Sequence, residues 1–561
     1  MLEKKLFRSD MLKCVLCQDA PCSSSCGKLD PAGLLRSIWF DNEKTAASRF
    51  PTVNPCLRCS APCETACVRP HEVPIRELMT RLHDEVKPEL ELELPEEERR
   101  LHTDLCGIPL DNPFLLSSSV VASTYDMCAR AFEAGWAGVA FKTICSFDIH
   151  EASPRFSAIT GDNGSIIGFK NIEQLSDHSV AENMEIFRRL KEKYPGKFIL
   201  ASIMGQNDAE WEELSRLCEE NGADAIELNF SCPNMVDGGL GSDIGQVPEL
   251  VERFTAAARR GTRLPILAKL TPNVATMSPA AEAAKRGGAN GIAAINTIKS
   301  IIGVNPHTYV SSPAVHGMSA VGGYSGSAVK PIALRFIAEL GQNPALQGMH
   351  LSAMGGVESW SDALEFIMLG AGSVQVTTAV MQYGYRIIDD LKAGLNYYLA
   401  EKGLSSVKEA TGLALDSVSE TTDVLERGTI VFPKFNREKC IGCGRCEISC
   451  ADGGHQAIRL NEGRKPILDG KKCVGCHLCI LICPERAISS SRKRISRACA
   501  NTCRIPLPKG CSSFQFLDMF PYAKKHAAMF PSAKNAVDMF PVTNWGSVAD
   551  VCVWESTTRA M

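Results

Sequence analysis

Sixteen of the chain's 25 cysteines stand in four groups of four, and their spacing limits what the chain can fold into more than any other feature. Two groups lie toward the C-terminal end: Cys440, Cys443, Cys446 and Cys450, then Cys473, Cys476, Cys479 and Cys483, with Pro484 following. Each reads C-x2-C-x2-C-x3-C. Three thiolates on one short loop can grip three irons of a cube, and the fourth iron then takes a thiolate from elsewhere. The spacing predicts two 4Fe-4S clusters with crossed ligands, Cys440, Cys443 and Cys446 with Cys483, and Cys473, Cys476 and Cys479 with Cys450. Zinc needs four ligands per ion and gives no reason for such crossing. The other two groups, Cys14, Cys17, Cys22 and Cys26 and then Cys56, Cys59, Cys63 and Cys67, are less regular. By spacing alone their C-x2-C openings fit either two zinc sites or two clusters. Disulfide scaffolds are short secreted chains, whereas this one has 561 residues and opens without the apolar run of a secretory signal. The remaining cysteines read as small buried apolar side chains.

Between the cysteine-rich ends the texture changes. Short apolar runs such as Gly138–Thr143, Phe198–Ile203, Ala225–Phe230, Ile266–Leu270, Gly291–Asn296 and Ser373–Thr377 alternate with helical patterns that end in glycine. Strands apolar on both faces and spaced by helices indicate a parallel sheet, and about eight such units fit a (β/α)8 TIM barrel. The expected fold class is α/β: this barrel flanked by an N-terminal helical domain that carries the less regular cysteine groups and a C-terminal two-cluster ferredoxin-like domain. The domains fall at 1–83, an acidic linker at 84–103, the barrel at 104–428, the two-cluster domain at 429–490 and a tail at 491–561. The tail repeats Met-Phe-Pro at Met519, Met529 and Met539, too short a period to define a solenoid.

Polar residues close several of the apolar runs: Lys142, Asn229, Lys269, Asn296 and Thr377. Strand C-terminal ends are where barrels keep their chemistry. Gly355-Gly356, followed one unit later by Thr377-Thr378, supplies the close backbone approach and the hydroxyls of a barrel phosphate site. Lysines at strand ends are costly as fillers, which marks Lys142 and Lys269 as candidate site residues. Asparagine carries both a donor and an acceptor, which suits a ligand with alternating polar groups. No G-x-G-x-x-G opens a βαβ unit, and Gly238-Gly239-Leu240-Gly241 falls within a loop after a strand.

Several of these stretches carry a family resemblance. Cys14-Val15-Leu16-Cys17-Gln18-Asp19-Ala20-Pro21-Cys22 resembles the N-terminal iron–sulfur domain of dihydropyrimidine dehydrogenase and of the glutamate synthase small subunit. That likeness implies one 4Fe-4S cluster on Cys14, Cys17, Cys22 and Cys67. Cys26, Cys59 and Cys63 would supply part of a second, with Cys56 a further candidate. In the barrel, Asn112-Pro113-Phe114, Lys142-Thr143, Asn171-Ile172-Glu173, Asn229-Phe230-Ser231-Cys232-Pro233-Asn234, Ala268 to Asn273, Asn296-Thr297, Ser325-Gly326 and Gly355-Gly356 resemble the FMN domain of dihydropyrimidine dehydrogenase and, more distantly, dihydroorotate dehydrogenase. With the C-terminal module, the pattern is similar to the FMN-containing subunits of bacterial NAD-dependent dihydropyrimidine dehydrogenases.

The resemblance implies an oxidoreductase that interconverts uracil or thymine and the 5,6-dihydropyrimidine. FMN would be held by Ser117, Ser118, Lys142, Thr143, Asn229, Lys269, Thr297, Ser325, Gly326, Gly355, Gly356, Thr377 and Thr378. The base would lie against Asn171, Glu173, Asn229, Ser231, Asn296 and Thr297, with Cys232 as proton donor. A lone cysteine is usually inert packing, and the string around Cys232 is what singles it out. Electrons would pass through the clusters to or from an FAD- and NAD(H)-binding partner subunit or a ferredoxin, in a homodimer or heterotetramer. Dihydroorotate or another ene-type substrate on the same machinery, or a barrel that only relays electrons, are the competing readings. A net charge of −4 and the absence of a long apolar run argue against nucleic-acid or membrane partners and for a cytoplasmic protein.

Overall fold

The structure, a computed structural model, describes residues 8–70, 72–87, 98–161, 166–235 and 240–496. Half of the acidic linker, positions 238 and 239, and nearly all of the tail with its Met-Phe-Pro copies lie outside the described residues. The chain divides into two compact units, Met1–Glu420 and Thr421–Met561. Among the described residues no helix is long and apolar enough to cross a membrane.

Eight strands of the first unit close into a parallel barrel: β1 (Phe114–Leu116), β2 (Gly138–Ala140), β3 (Phe198–Ile203), β4 (Ala225–Asn229), β5 (Ile266–Lys269), β6 (Gly291–Ala294), β7 (His350–Met354) and β8 (Ser373–Val376). Neighbours in the barrel are neighbours in the chain, and Val374 of β8 registers against Phe114 of β1 to shut the ring. Their residues are buried on both faces because successive side chains alternate between two cores. One set, including Phe114, Val139, Ile199, Ile226 and Ala268, meets the surrounding helices. The other, including Leu115, Ala140, Leu200, Leu267 and Met354, fills the barrel. A hairpin of Thr103–Leu105 and Ile108–Leu110 adds Leu105 and Leu110 to that inner set, closing the end away from the polar residues.

Strands β1 and β7 are the two that the apolar-run pattern does not pick out. β7 carries Ser352, which is fully buried and bonds Ser373 Oγ and Gln375 Nε2 at 2.9 and 3.0 Å. A polar layer inside a barrel breaks the apolar signature without weakening the strand, because each group finds a partner.

Two insertions build a separate four-stranded antiparallel sheet from Phe156–Thr160, Ile166–Asn171, Ile298–Ser300 and Gly322–Ser325. Its central pairing sets Asn171 opposite Gly323, so segments about 150 residues apart in the chain meet at one side of the site.

The N-terminal module belongs to the same compact unit as the barrel and keeps its own small core around Leu34, Leu35, Leu78 and Leu82. Between its two cysteine groups lie two helices, Pro31–Trp39 and Glu43–Ser48. Asp30 caps the first, accepting from Gly33 N at 3.1 Å, and Pro31 occupies its first turn. Asp41, at φ 60°, breaks the path between them. Asp390, from the barrel's helix Ile387–Glu401, accepts from Arg36 Nε at 2.7 Å and from Ser37 Oγ at 2.6 Å. Tyr383 packs edge-on against Phe40 at 5.2 Å between ring centres.

The second unit pairs Thr429–Phe435 antiparallel with Ile488–Ser496 and carries the helices Arg445–Gly453 and Leu478–Leu481 beside a short hairpin, Ile458–Leu460 with Pro466–Leu468.

Candidate active site and cluster sites

A cavity with about 1050 Å³ of empty space opens where the barrel strands end. Ser117, Ser118, Lys142, Thr143, Asn171, Glu173, Asn229, Cys232, Lys269, Asn296, Thr297, Ser325, Gly355, Gly356, Thr377 and Thr378 all line it. Ser231 and Gly326 do not. Ser231 sits fully buried behind the wall, donating to Asn229 Oδ1 and accepting from Asn296 Nδ2, both at 2.9 Å. It therefore aims the two asparagines. Gly326 backs Gly356: a Cβ on Gly356 would stand 2.9 Å from Gly326 O and 2.8 Å from Lys330 N. Gly355, Gly356 and Gly326 all have positive φ, at 123°, 81° and 92°, so the tight approach of these two loops depends on glycine.

At this end the hydroxyls gather. Ser325 Oγ and Thr378 Oγ1 lie 2.9 Å apart, and Ser119 Oγ and Thr377 Oγ1 3.3 Å. At the other end Lys269 Nζ donates to Ser118 Oγ at 2.7 Å and faces the buried Glu227 at 3.4 Å. Asn229 Nδ2 donates to Thr143 Oγ1 at 2.8 Å, leaving Asn229 anchored at the mouth of β4. Lys142 Nζ reaches Glu173 Oε2 at 3.1 Å.

Among the lining residues that were not expected in the site, Asn234 and Gln375 stand out. Asn234 donates to Asn171 Oδ1 at 3.2 Å and to Glu173 O at 2.6 Å. Its Oδ1 and the Oε1 of Gln375 are buried with no partner. A buried acceptor left unpaired costs about 1–3 kcal/mol, and a ligand donor would relieve it. The last residue of the Asn-Phe-Ser-Cys-Pro-Asn string was the available signal for Asn234. Gln375 sits inside an apolar strand, where sequence reads it as a filler.

These features fit a flavin mononucleotide. The glycine cradle and the hydroxyls suit its phosphate, and Lys142, Lys269 and the unpaired acceptors suit a polar ring edge. Cys232 lies on the same wall, 6% exposed. Burial pushes its thiol up to about 11, against the opposing pull of the Asn234 backbone and of Lys269 and Lys142. The sulfur thus keeps its proton throughout the neutral range.

The cysteine groups assemble as quartets. Cys14, Cys17, Cys22 and Cys67 line one cavity, and Cys440, Cys443, Cys446 and Cys483 line another, each with about 410 Å³ of empty space. The second of these is the crossed set expected from spacing. In its counterpart, Cys450 lies within electrostatic reach of Cys473 and Cys479, both of which also feel Cys476. The two remote cysteines are held alike: Cys450 Sγ accepts from Ala457 N and Cys483 Sγ from Ala487 N, both at 3.3 Å. In the N-terminal module the other four thiols also group. Cys63 is raised to about 11 by burial and then by Cys26, with Cys56 adding to it, and Cys56 in turn feels Cys59. Cys56 therefore completes a quartet with Cys26, Cys59 and Cys63. Among the described residues no three His, Cys, Asp or Glu side chains converge on a single-ion site. Two of the four quartets surround a cavity, the arrangement a cluster needs.

Residues 100–399 match the family profile of dihydroorotate dehydrogenase, and residues 434–490 match that of a 4Fe-4S dicluster domain. The chain is 53% identical over 362 residues to the NAD-dependent dihydropyrimidine dehydrogenase subunit PreA of Escherichia coli K12, covering 64% of this chain and 88% of the relative. It is 37% identical over 357 residues to the chloroplastic dihydropyrimidine dehydrogenase (NADP(+)) of Arabidopsis thaliana, covering 61% and 84%. To the catalytic subunit of dihydroorotate dehydrogenase B (NAD(+)) of Pyrococcus abyssi it is 37% identical over 321 residues, covering 56% and 99%.

Proposed function

The chain belongs to the dihydroorotate dehydrogenase family, and on that premise we propose that it interconverts uracil or thymine and the 5,6-dihydropyrimidine as the flavin and iron–sulfur subunit of a larger enzyme. The observation that carries this reading is the placement of a protonated thiol, Cys232, on the wall that also presents Asn171, Asn229, Asn296 and Thr297.

FMN, with its phosphate held by Ser325, Gly355, Gly356, Thr377 and Thr378, would supply hydride chemistry at C6 of the ring and exchange electrons singly with the clusters. The chain's own residues do the rest. Asn171 and Asn296 present amide groups to the base, and Ser231 fixes Asn296 and Asn229 relative to each other. Asn234 ties Asn171 to the Glu173 backbone, so the substrate-facing groups form one connected network. Cys232 Sγ–H gives its proton to C5 during reduction and recovers it during oxidation. A barrel that only relayed electrons would have no use for a buried thiol beside an asparagine network.

The first quartet of the N-terminal module and the two crossed quartets would each hold a 4Fe-4S cluster, and Cys26, Cys56, Cys59 and Cys63 a fourth. They would carry electrons to or from an FAD- and NAD(H)-binding partner subunit, in keeping with the name of the Escherichia coli relative as a subunit. The test is anaerobic purification with iron, sulfide and flavin analysis, then assay of uracil, thymine and orotate with reduced methyl viologen. Turnover of uracil or thymine supports the reading. A loaded protein that reduces neither, or that acts on orotate alone, refutes it.

A further inference from the structure

Beside the site lie two carboxylates and two cations arranged as a closed square. Lys142 Nζ stands 3.1 Å from Glu173 Oε2 and 3.6 Å from Glu151 Oε1. Arg155 Nη1 stands 2.8 Å from Glu173 Oε1 and 3.8 Å from the same oxygen of Glu151. Glu151 is held in place by the Gln174 backbone N–H at 3.0 Å. Only Lys142 and Glu173 of the four face the cavity, where both are nearly buried, at 6% and 8% exposed. The other lysine of the wall, Lys269, is countered by Glu227.

Each cation that lines the cavity is thus already matched by a carboxylate. A neutral ring entering this wall finds hydrogen-bonding groups and no net charge. A ring carrying its own carboxylate would set another anion against Glu173 with no cation released to meet it, and in a buried site that repulsion is poorly screened.

We propose that Glu151, which does not itself touch the cavity, is a specificity-determining residue. By sharing Lys142 and Arg155 with Glu173 it keeps the wall neutral and so selects uncharged pyrimidines over carboxylated ones. This rests on the pyrimidine reading of the site.

The test measures binding by perturbation of flavin absorbance in the anaerobic, fully loaded protein, with uracil and orotate as probes. Wild type should bind uracil at least tenfold more tightly than orotate. Glu151→Gln frees positive charge, so the uracil-to-orotate preference should fall by roughly tenfold through tighter orotate binding. Arg155→Gln removes positive charge, and the preference should move the opposite way. A role for Glu151 in folding alone would not move the two variants in opposite directions. Uracil binding with a preference unchanged in both variants overturns the inference and leaves the pyrimidine reading intact. Failure of wild type to bind uracil overturns both.

Discussion

Arg386 donates through Nη1 to the backbone carbonyl of Cys17 at 3.1 Å, and through Nη2 to that of Leu16. One side chain of the barrel thereby grips the C-x2-C loop of the first N-terminal quartet. The helix Thr378–Tyr383 begins at the hydroxyl end of the flavin cavity, contributes Met381 to its wall and ends three residues before Arg386. Six residues of helix span about 9 Å, so the quartet is tied to that cavity by a short stretch of chain.

Arg386→Gln should therefore lose or weaken a single cluster while FMN content stays at the wild-type level. Iron analysis should fall by up to about four atoms from roughly 16 per chain if every quartet is filled. Retention of every cluster at its wild-type potential, read by redox-titrated EPR, would show that the grip is incidental.

Cys440 and Cys483 line one cavity, whereas Cys450 groups with Cys473, Cys476 and Cys479. Cys483→Ser should abolish the same EPR signal as Cys440→Ser, and Cys450→Ser should abolish the other. If Cys483→Ser removed the signal that depends on Cys473, the crossed scheme would be wrong.

Gly356 offers a third check, because alanine there meets both a φ of 81° and backbone atoms at 2.8 and 2.9 Å. Strain of this kind costs of order 1–3 kcal/mol, enough to weaken FMN binding roughly tenfold or more. Gly356→Ala should lose flavin on gel filtration while keeping its iron. Full flavin retention would place the phosphate elsewhere.

The pH dependence follows from the Cys232 thiol, pushed up to about 11 by burial. Reduction needs the thiol protonated, so its rate should stay flat from pH 7 to 9 as far as this group is concerned. Oxidation of the dihydro form needs the thiolate, whose fraction rises about tenfold per pH unit below that value, so the oxidation rate should climb across the same range. Initial rates in both directions decide the matter. A reduction rate already halved near pH 8.5, where an ordinary thiol titrates, would contradict the assignment.

What the sequence made readable was whatever is local. The continuous apolar runs of β3, β4 and β5 announce buried parallel strands, and the C-terminal cysteine spacings announce two crossed quartets, whereas the set of Cys14, Cys17, Cys22 and Cys67 came from the family resemblance. Cys56 joins its quartet through Cys26, far back in the chain, as well as through its neighbour Cys59, so spacing alone left its role open. Strand β7 was hidden by Ser352, whose polarity is satisfied only by residues of β8. The insertion sheet and the Glu151–Arg155 pair were hidden for the same reason. Their meaning lies in Asn171 meeting Gly323 and Glu151 meeting Lys142, contacts between segments that no local pattern joins. Ser231 was readable as part of the site, but its position behind the wall follows from its bonds to Asn229 and Asn296.

The central claim is tested most directly by uracil turnover in Cys232→Ala, measured anaerobically with reduced methyl viologen on protein checked for FMN and iron. The substitution leaves Asn229, Asn296 and the glycine cradle untouched, so uracil should still perturb the flavin spectrum. Loss of a positioned general acid should cut turnover by about 10²–10⁴-fold while chemical reduction of the flavin stays normal. Wild-type turnover of uracil and thymine by Cys232→Ala would remove the thiol from the reaction and contradict the account.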